Sequence, residues 1–129
     1  DNKNYYLVLR YGNNGKPKFK HKDDVWSTIA VKKVLIQQWI DLTFEIKWSF
    51  NNDGYIAAWI NNEPFTPFNG MHNKIFGANM HNLSPNYFKF GQYRYFDDTN
   101  RHHIFFDELR VGDNLDEVSL YNNLPKIFC

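Results

Sequence analysis

Residues 40–60 read IDLTFEIKWSFNNDGYIAAWI, and this stretch decides the fold of the chain. The even positions from 40 to 50 are apolar, and they are Ile40, Leu42, Phe44, Ile46, Trp48 and Phe50. The odd positions between them are polar or charged. This strict alternation predicts one long strand with its even face in a core and its odd face in water. An amphipathic helix would instead repeat its apolar residues at every third and fourth position.

A turn follows this strand. Residues 51–54 are Asn-Asn-Asp-Gly, and Asp-Gly between two apolar runs predicts a hairpin in which Gly54 takes a positive φ. Tyr55–Ile60 is then the partner strand. We expect it to end in the segment 61–64, because Pro64 cannot continue a hydrogen-bonded ladder.

Four further strands are predicted, with no helical period between them: residues 5–11, 25–34, 87–96 and 103–111. Residues 69–85 form a long loop, and residues 115–121 fit a short helical turn or a last edge strand equally well. Strands joined by turns predict an all-β fold, a sandwich or jelly roll of antiparallel strands. The length of 129 residues predicts a single domain over residues 1–129.

The composition of the chain argues against two classes of binding partner. Lys and Arg total 15 against 14 Asp and Glu, which argues against a nucleic-acid partner. No apolar run approaches the roughly 18 residues that span a bilayer, so we expect no membrane partner. The single cysteine, Cys129, cannot form an internal disulfide. The polar opening, residues 1–4, shows no signal peptide and fits a mature exported chain and a trimmed chain alike. We expect a secreted or periplasmic protein.

The segment 86–96, NYFKFGQYRYF, is the most informative for function. On a strand its polar face would carry Tyr87, Lys89, Gly91, Tyr93 and Tyr95. A phenol and an ammonium beside a glycine gap suit acid–base chemistry on an anionic substrate. The plainer alternative is that tyrosine is a good strand residue and that the lysine is a solvated side chain.

The stretch YFKFGQYR, residues 87–94, resembles the signature strand of the alginate-lyase and heparin-lyase-I superfamily, which carries a Tyr-Phe-Lys-x-Gly-x-Tyr motif. Residues 39–64 resemble the preceding hairpin of that fold, and IFFDELRVG, residues 104–112, resembles its closing strand. The resemblance implies a concanavalin-like jelly-roll sandwich. It also implies a lyase that cleaves a uronic-acid polysaccharide by β-elimination, so that the partner is an acidic polysaccharide or oligosaccharide.

The resemblance places Tyr93 as the general acid or base and Lys89 as its catalytic neighbour, or alternatively as a residue of a neighbouring subsite. The two positions lie four residues apart, roughly 13 Å along a strand, so both reach one sugar only if the strand curves or the side chains lean together. Nearby cations would lower the pKa of the tyrosine from its free value of about 10. The other expected substrate contacts are Arg94, Tyr87, Tyr95, His72 and His81. The two loop histidines fit a solvated role as well.

The sequence departs from the family pattern in one respect. Family members also supply a Gln-x-His motif on an earlier strand, and Gln37-Gln38-Trp39 lacks the histidine. The chain is also shorter than the roughly 200–250 residues of many single-domain sandwiches. These two observations predict that the chain is the C-terminal portion of a larger jelly roll, with the missing N-terminal part as a further partner.

No metal or cofactor is expected. His102 and His103 lack a partner at metal-ligand spacing, and Asp97-Asp98 falls short of the oxygen ligands that Ca²⁺ requires. The alternative function is a non-catalytic carbohydrate-binding module, lectin-like or laminin-G-like, on the same fold, because fold does not fix function. Trp26, Trp39 and Trp59 are open candidates for stacking on sugar rings.

Overall fold

A computed structural model describes residues 4–12, 26–80, 84–92, 101 and 103–119. Its elements are antiparallel strands and one short helix, which confirms the all-β fold class. The elements are β1 (Tyr5–Gly12), β2 (Trp26–Val34), β3 (Leu42–Lys47), β4 (Tyr55–Ile60), β5 (Glu63–Pro64), β6 (Ile75–Phe76) and α1 (Leu115–Val118).

The strands β1 and β2 form a two-stranded antiparallel sheet. The register runs from Tyr5 opposite Val34 to Gly12 opposite Trp26, with an irregularity between Leu9 and Arg10. A bulge of this kind places two residues of one strand against one of the other and increases the local twist. Both strands were predicted from the alternating pattern, and their bounds agree within one residue.

The hairpin of β3 and β4 is the centre of the second sheet. Leu42 pairs with Ile60 at one end and Lys47 with Tyr55 at the other. The predicted partner strand Tyr55–Ile60 is confirmed with the same bounds, but β3 is shorter than the predicted strand 40–50. The backbone leaves the ladder after Lys47 because the turn region is held by side chains, with Asp53 accepting from the Lys47 ammonium at 2.8 Å and from the Ser49 hydroxyl.

The role predicted for Gly54 was wrong in its cause. Its φ does not lie in the positive region, whereas those of Gly70 and Gly91 do. A side chain is excluded by space instead, since a Cβ at Gly54 would lie 2.7 Å from the carbonyl oxygen of Gly77. Gly54 therefore lets the backbone at Gly77 approach the end of the hairpin of β3 and β4.

The strand β4 ends at Ile60, as predicted, but the chain turns back at residues 61–62 and forms β5 along the same sheet. Asn61 and Asn62 have φ of 50° and 68°, so both central turn residues lie in the left-handed region, as a type I′ hairpin turn requires. Pro64 then pairs with Trp59 on the outer edge of β4, where a missing N–H is tolerated. The strand β6 pairs with the other end of the same edge, at Tyr55 and Ile56.

Two buried polar side chains fill the space between β5 and β6. The Thr66 hydroxyl accepts from the Ala58 N–H at 3.1 Å and donates to the Asn73 carbonyl. The Asn73 amide donates to the Ala58 carbonyl at 3.2 Å. The Ala58 N–H is thereby satisfied by a side chain, and the Ala58 carbonyl accepts from the Asn73 amide in addition to the Phe65 N–H at 2.8 Å.

The burial of β3 reverses the prediction. The even-numbered side chains Leu42, Phe44, Ile46, Trp48 and Phe50 are all exposed, by 37% to 51% of their surface. The small core lies on β4 instead. On the odd face Ala57 and Trp59 pack with Leu115 from α1, and on the even face Ala58 and Ile60 are buried. The prediction failed because alternation shows which face of a strand is apolar, whereas burial requires a second layer over that face. The extensive contacts of β3 are with β4, its neighbour in the same sheet.

Two predicted strands are not observed in the parts of them that the structure describes. Residues 84–92 and 103–111 belong to no assigned strand, all of them are exposed, and Glu108 has a φ of 56°, outside the range of a strand. A strand is defined by its ladder with a neighbour, which a period-two pattern in one segment does not supply. The ambiguous segment after residue 114 begins as the helix α1, capped by the Asn114 side chain, which accepts from the Glu117 N–H.

In the described parts of the chain, no helix combines the length and the apolar character needed to cross a lipid bilayer.

Candidate functional site

The described part of the signature segment presents two different faces. The Lys89 ammonium lies 5.0 Å from the centre of the Tyr87 ring, so these two side chains share one side. On the other side the Phe88 and Phe90 rings stack at 5.6 Å. The alternation predicted for this segment is therefore present from Tyr87 to Phe90, although no ladder is assigned there.

The aromatic side of this segment meets the predicted closing strand. Phe90 packs edge-to-face with Phe106 at 5.3 Å. Aromatic pairs in this geometry are worth about 0.5–1.5 kcal/mol beyond their buried area. The contact joins two of the three stretches on which the sequence resemblance rests, and it leaves the side of Tyr87 and Lys89 uncovered.

That free side is open to solvent. Tyr87 is exposed over 78% of its surface, and Lys89 is exposed as well. Gly91 has a φ of 151°, and a Cβ placed there would meet nothing within 4 Å. A phenol, an ammonium and a backbone notch therefore stand together on a surface that a polymer can approach.

Four of the predicted site residues lie outside the described residues: Tyr93, Arg94, Tyr95 and His81. Their roles stay predictions. Of the predicted set, the structure brings together Tyr87 and Lys89.

His72 is part of a different cluster. Its ring packs edge-on against Phe76 at 5.5 Å, and its Nδ1 accepts from the Lys74 N–H at 3.2 Å. Phe76 in turn packs on Tyr55 at 5.6 Å. The loop predicted for residues 69–85 thus contains β6 and returns His72 to the edge of the sheet.

A second phenol, which the sequence did not single out, lies in that cluster. The Tyr55 hydroxyl donates to Glu45 Oε1 at 2.6 Å. Desolvation by burial, this hydrogen bond and the carboxylate charge raise the pKa of Tyr55 to about 12. Tyr55 therefore stays protonated at neutral pH and is unsuited to act as a base. Position 55 pairs with Lys47 and lies diagonally from position 45, a cross-strand relation that the hairpin register could have revealed.

The tryptophan candidates separate by exposure. Trp59 is 4% exposed and belongs to the core, which removes it as a sugar platform. Trp39 is 67% exposed and Trp48 is 51% exposed, so Trp48 does not pack in a core as predicted. Among the described residues, no group of three or more His, Cys, Asp or Glu side chains is arranged to hold a metal ion.

The fold and the exposed segment define an antiparallel all-β protein that presents a phenol–ammonium pair to solvent. The sequence model of a family described as polysaccharide lyase matches residues 2–110. The match spans most of the chain, so this chain belongs to the polysaccharide lyase family. No curated protein and no solved structure matches the chain.

Proposed function

We propose that this chain is a polysaccharide lyase that cleaves a uronic-acid polysaccharide by β-elimination, with Tyr93 as the general acid or base. The observation that carries the proposal is the family match, because residues 2–110 contain the whole motif from Tyr87 to Tyr93. Family membership supports a polysaccharide substrate in general. The acidic substrate and the tyrosine mechanism are our extension of it.

The reaction needs two proton positions and one neutralised carboxylate. A base removes the proton at C5, beside the sugar carboxylate, and that electron pair forms the C4–C5 double bond. The bond from C4 to the glycosidic oxygen breaks, and the departing oxygen receives a proton. A tyrosine can take the first proton or supply the second.

The exposed ammonium of Lys89 supports an acidic substrate. A cation close to the substrate carboxylate reduces its negative charge, which makes the C5 proton easier to remove. Lys89 is held over the Tyr87 ring, a cation–π contact that orients the ammonium without neutralising it. It has no carboxylate partner among the described residues, in contrast to Lys47, which pairs with Asp53.

The test is a panel of alginate, polygalacturonate, glucuronan and heparin incubated with the protein. Elimination creates a double bond conjugated to a carboxylate, so near-ultraviolet absorbance should rise on at least one polymer. Tyr93→Phe should abolish that rise and retain binding, since only the phenol oxygen is removed. Tyr6→Phe, a matched change on β1, should leave the rate unchanged.

Two outcomes count against the proposal. Unchanged turnover in Tyr93→Phe excludes Tyr93 as the acid or base. Binding to a glycan with no absorbance change on any polymer favours the alternative of a non-catalytic carbohydrate-binding module. The observation that favours this alternative is the absence of the Gln-x-His motif from residues 1–129.

A further inference from the structure

The odd face of the second sheet carries a cluster of five side chains away from the signature segment in sequence. We call it the sheet-face cluster, and its members are Glu45, Tyr55, His72, Lys74 and Phe76. The Lys74 ammonium lies 4.4 Å from the centre of the Tyr55 ring and 3.9 Å from Glu45 Oε1. Strands β3, β4 and β6 and the loop before β6 thus place an aromatic surface beside charged groups.

The polar groups of this cluster retain unused hydrogen-bonding capacity. The distance from Lys74 to Glu45 is too long for a direct hydrogen bond, so the ammonium donors remain available to a ligand. Its side chain is 36% exposed and that of Glu45 is 30% exposed. Glu45 Oε1 accepts from Tyr55, and in the described residues Oε2 makes no hydrogen bond that would occupy it.

His72 adds a donor of defined position. Because its Nδ1 accepts from the Lys74 N–H, the neutral ring carries its proton on Nε2. The cluster therefore offers two kinds of donor, one carboxylate acceptor and the half-exposed ring of Phe76. Tyr55 holds the set together, since it contacts Glu45, Lys74 and Phe76 at once.

We propose that the sheet-face cluster is a second carbohydrate-binding site, which takes one uronate residue of an acidic polysaccharide. The C–H face of the sugar ring lies on Phe76, Lys74 pairs with the sugar carboxylate, and Glu45 and His72 bind sugar hydroxyls. Glu45 selects a sugar over a simple anion, because its charge opposes an anion that has no hydroxyl to donate. The proposal rests on the proposed function for its substrate class but requires no turnover at the signature segment.

The test measures binding, so that it is independent of catalysis. Protein carrying Tyr93→Phe is run through affinity gels that contain alginate, polygalacturonate, glucuronan or heparin. At least one polymer should retard it. Lys74→Gln and Phe76→Leu, each in the same background, should weaken the apparent affinity by about tenfold, the loss of one good contact. Lys33→Gln, on β2, removes the same charge and should leave retardation unchanged.

The controls separate this site from a general effect of charge. Phe76→Leu alters no charge, and Lys74 is exposed enough that Lys74→Gln folds even if Phe76→Leu does not, as circular dichroism will show. Retardation equal in the parent and in Lys74→Gln overturns the proposal, as does a parent protein that none of the four polymers retards. If the unsubstituted protein cleaves none of the polymers, but Lys74→Gln and Phe76→Leu still weaken retardation, only the proposed function is contradicted.

Discussion

At the scale of single residues, Thr66 shows how a side-chain hydroxyl can take the place of a neighbouring strand's carbonyl as a hydrogen-bond acceptor. It is 1% exposed and lies between the Ala58 N–H and the Asn73 carbonyl. Nothing in the sequence signalled this role, because a threonine in an irregular segment has no pattern that names its partners. A role that depends on a contact between positions 58, 66 and 73 becomes visible only when the chain has folded.

Replacing Thr66 by valine keeps its shape and removes its hydroxyl. The Ala58 N–H then loses its acceptor inside the sheet, so we expect the free energy of unfolding to fall by about 1–3 kcal/mol. Urea denaturation followed by tryptophan fluorescence measures the loss. Thr28→Val, the same change at an exposed position of β2, should cost less than about 0.5 kcal/mol. Equal effects of the two substitutions would contradict the bridging role.

Tyr55 has a pH signature of its own. Its pKa is raised to about 12 in the folded protein from the ordinary tyrosine value of 10.0, so the folded state holds the phenol proton more tightly than the unfolded state does. The stabilisation is complete below pH 10 and is lost as pH rises toward about 12. Tyr55→Phe should remove from an absorbance titration one phenol that ionises near pH 12, and it should flatten the loss of stability over that range. A titration with all phenols ionising near pH 10 would refute the assignment.

At the scale of elements, the hairpin of β3 and β4 is where sequence reasoning succeeded. Alternation and the Asn-Asn-Asp-Gly segment located both strands and the turn between them. The short strands β5 and β6 were missed because two residues carry no periodicity. Their positions depend on the outer edge of β4, a partner that becomes available only after the hairpin forms.

The glycines at the end of this hairpin differ in a testable way. Gly54→Ala puts a methyl group 2.7 Å from a backbone oxygen, and the Gly77 backbone must move to admit it. We expect a loss of about 1–3 kcal/mol in the free energy of unfolding, as overpacking commonly costs. At Gly77 a Cβ meets nothing within 4 Å and φ is not positive, so Gly77→Ala should be neutral or slightly stabilising. Thermal melts compare the stabilities of the two variants. Equal melting temperatures would contradict the close approach of Gly54 to the Gly77 carbonyl.

At the scale of the whole molecule, the sequence indicated which residue types form the candidate site, but it did not indicate how distant positions are arranged around it. The contact between Tyr87 and Lys89 follows from the period of an extended chain, and it is observed. The sheet-face cluster joins positions 45, 55, 72, 74 and 76 through the register of three strands. Such a register depends on the sum of all pairings, so His72 could be suspected but its neighbours could not be named.

The exposed even face of β3 is the largest difference between the alternating pattern and the folded chain. Leu42, Phe44 and Ile46 on β3 are exposed in the described structure, as are Trp48 and Phe50 just after it. Truncation of a buried aliphatic side chain costs about 2–5 kcal/mol because it removes packed contacts and leaves a cavity. A side chain exposed over some 40% of its surface has fewer contacts to lose, which makes the energy of truncation a direct measure of whether the face is covered.

The last prediction compares two isoleucines of the same hairpin that pair with different neighbours. Ile46 is 37% exposed on β3, whereas Ile60 is 1% exposed on β4. Ile46→Thr should lower the free energy of unfolding by about 1 kcal/mol, since threonine suits an exposed strand position, while Ile60→Ala should cost about 2–5 kcal/mol. Ile46→Thr should also reduce the fluorescence of a bound apolar dye, because it removes part of the exposed apolar surface. If Ile46→Thr costs as much as Ile60→Ala and dye binding is unchanged, the even face is packed against a further layer in solution.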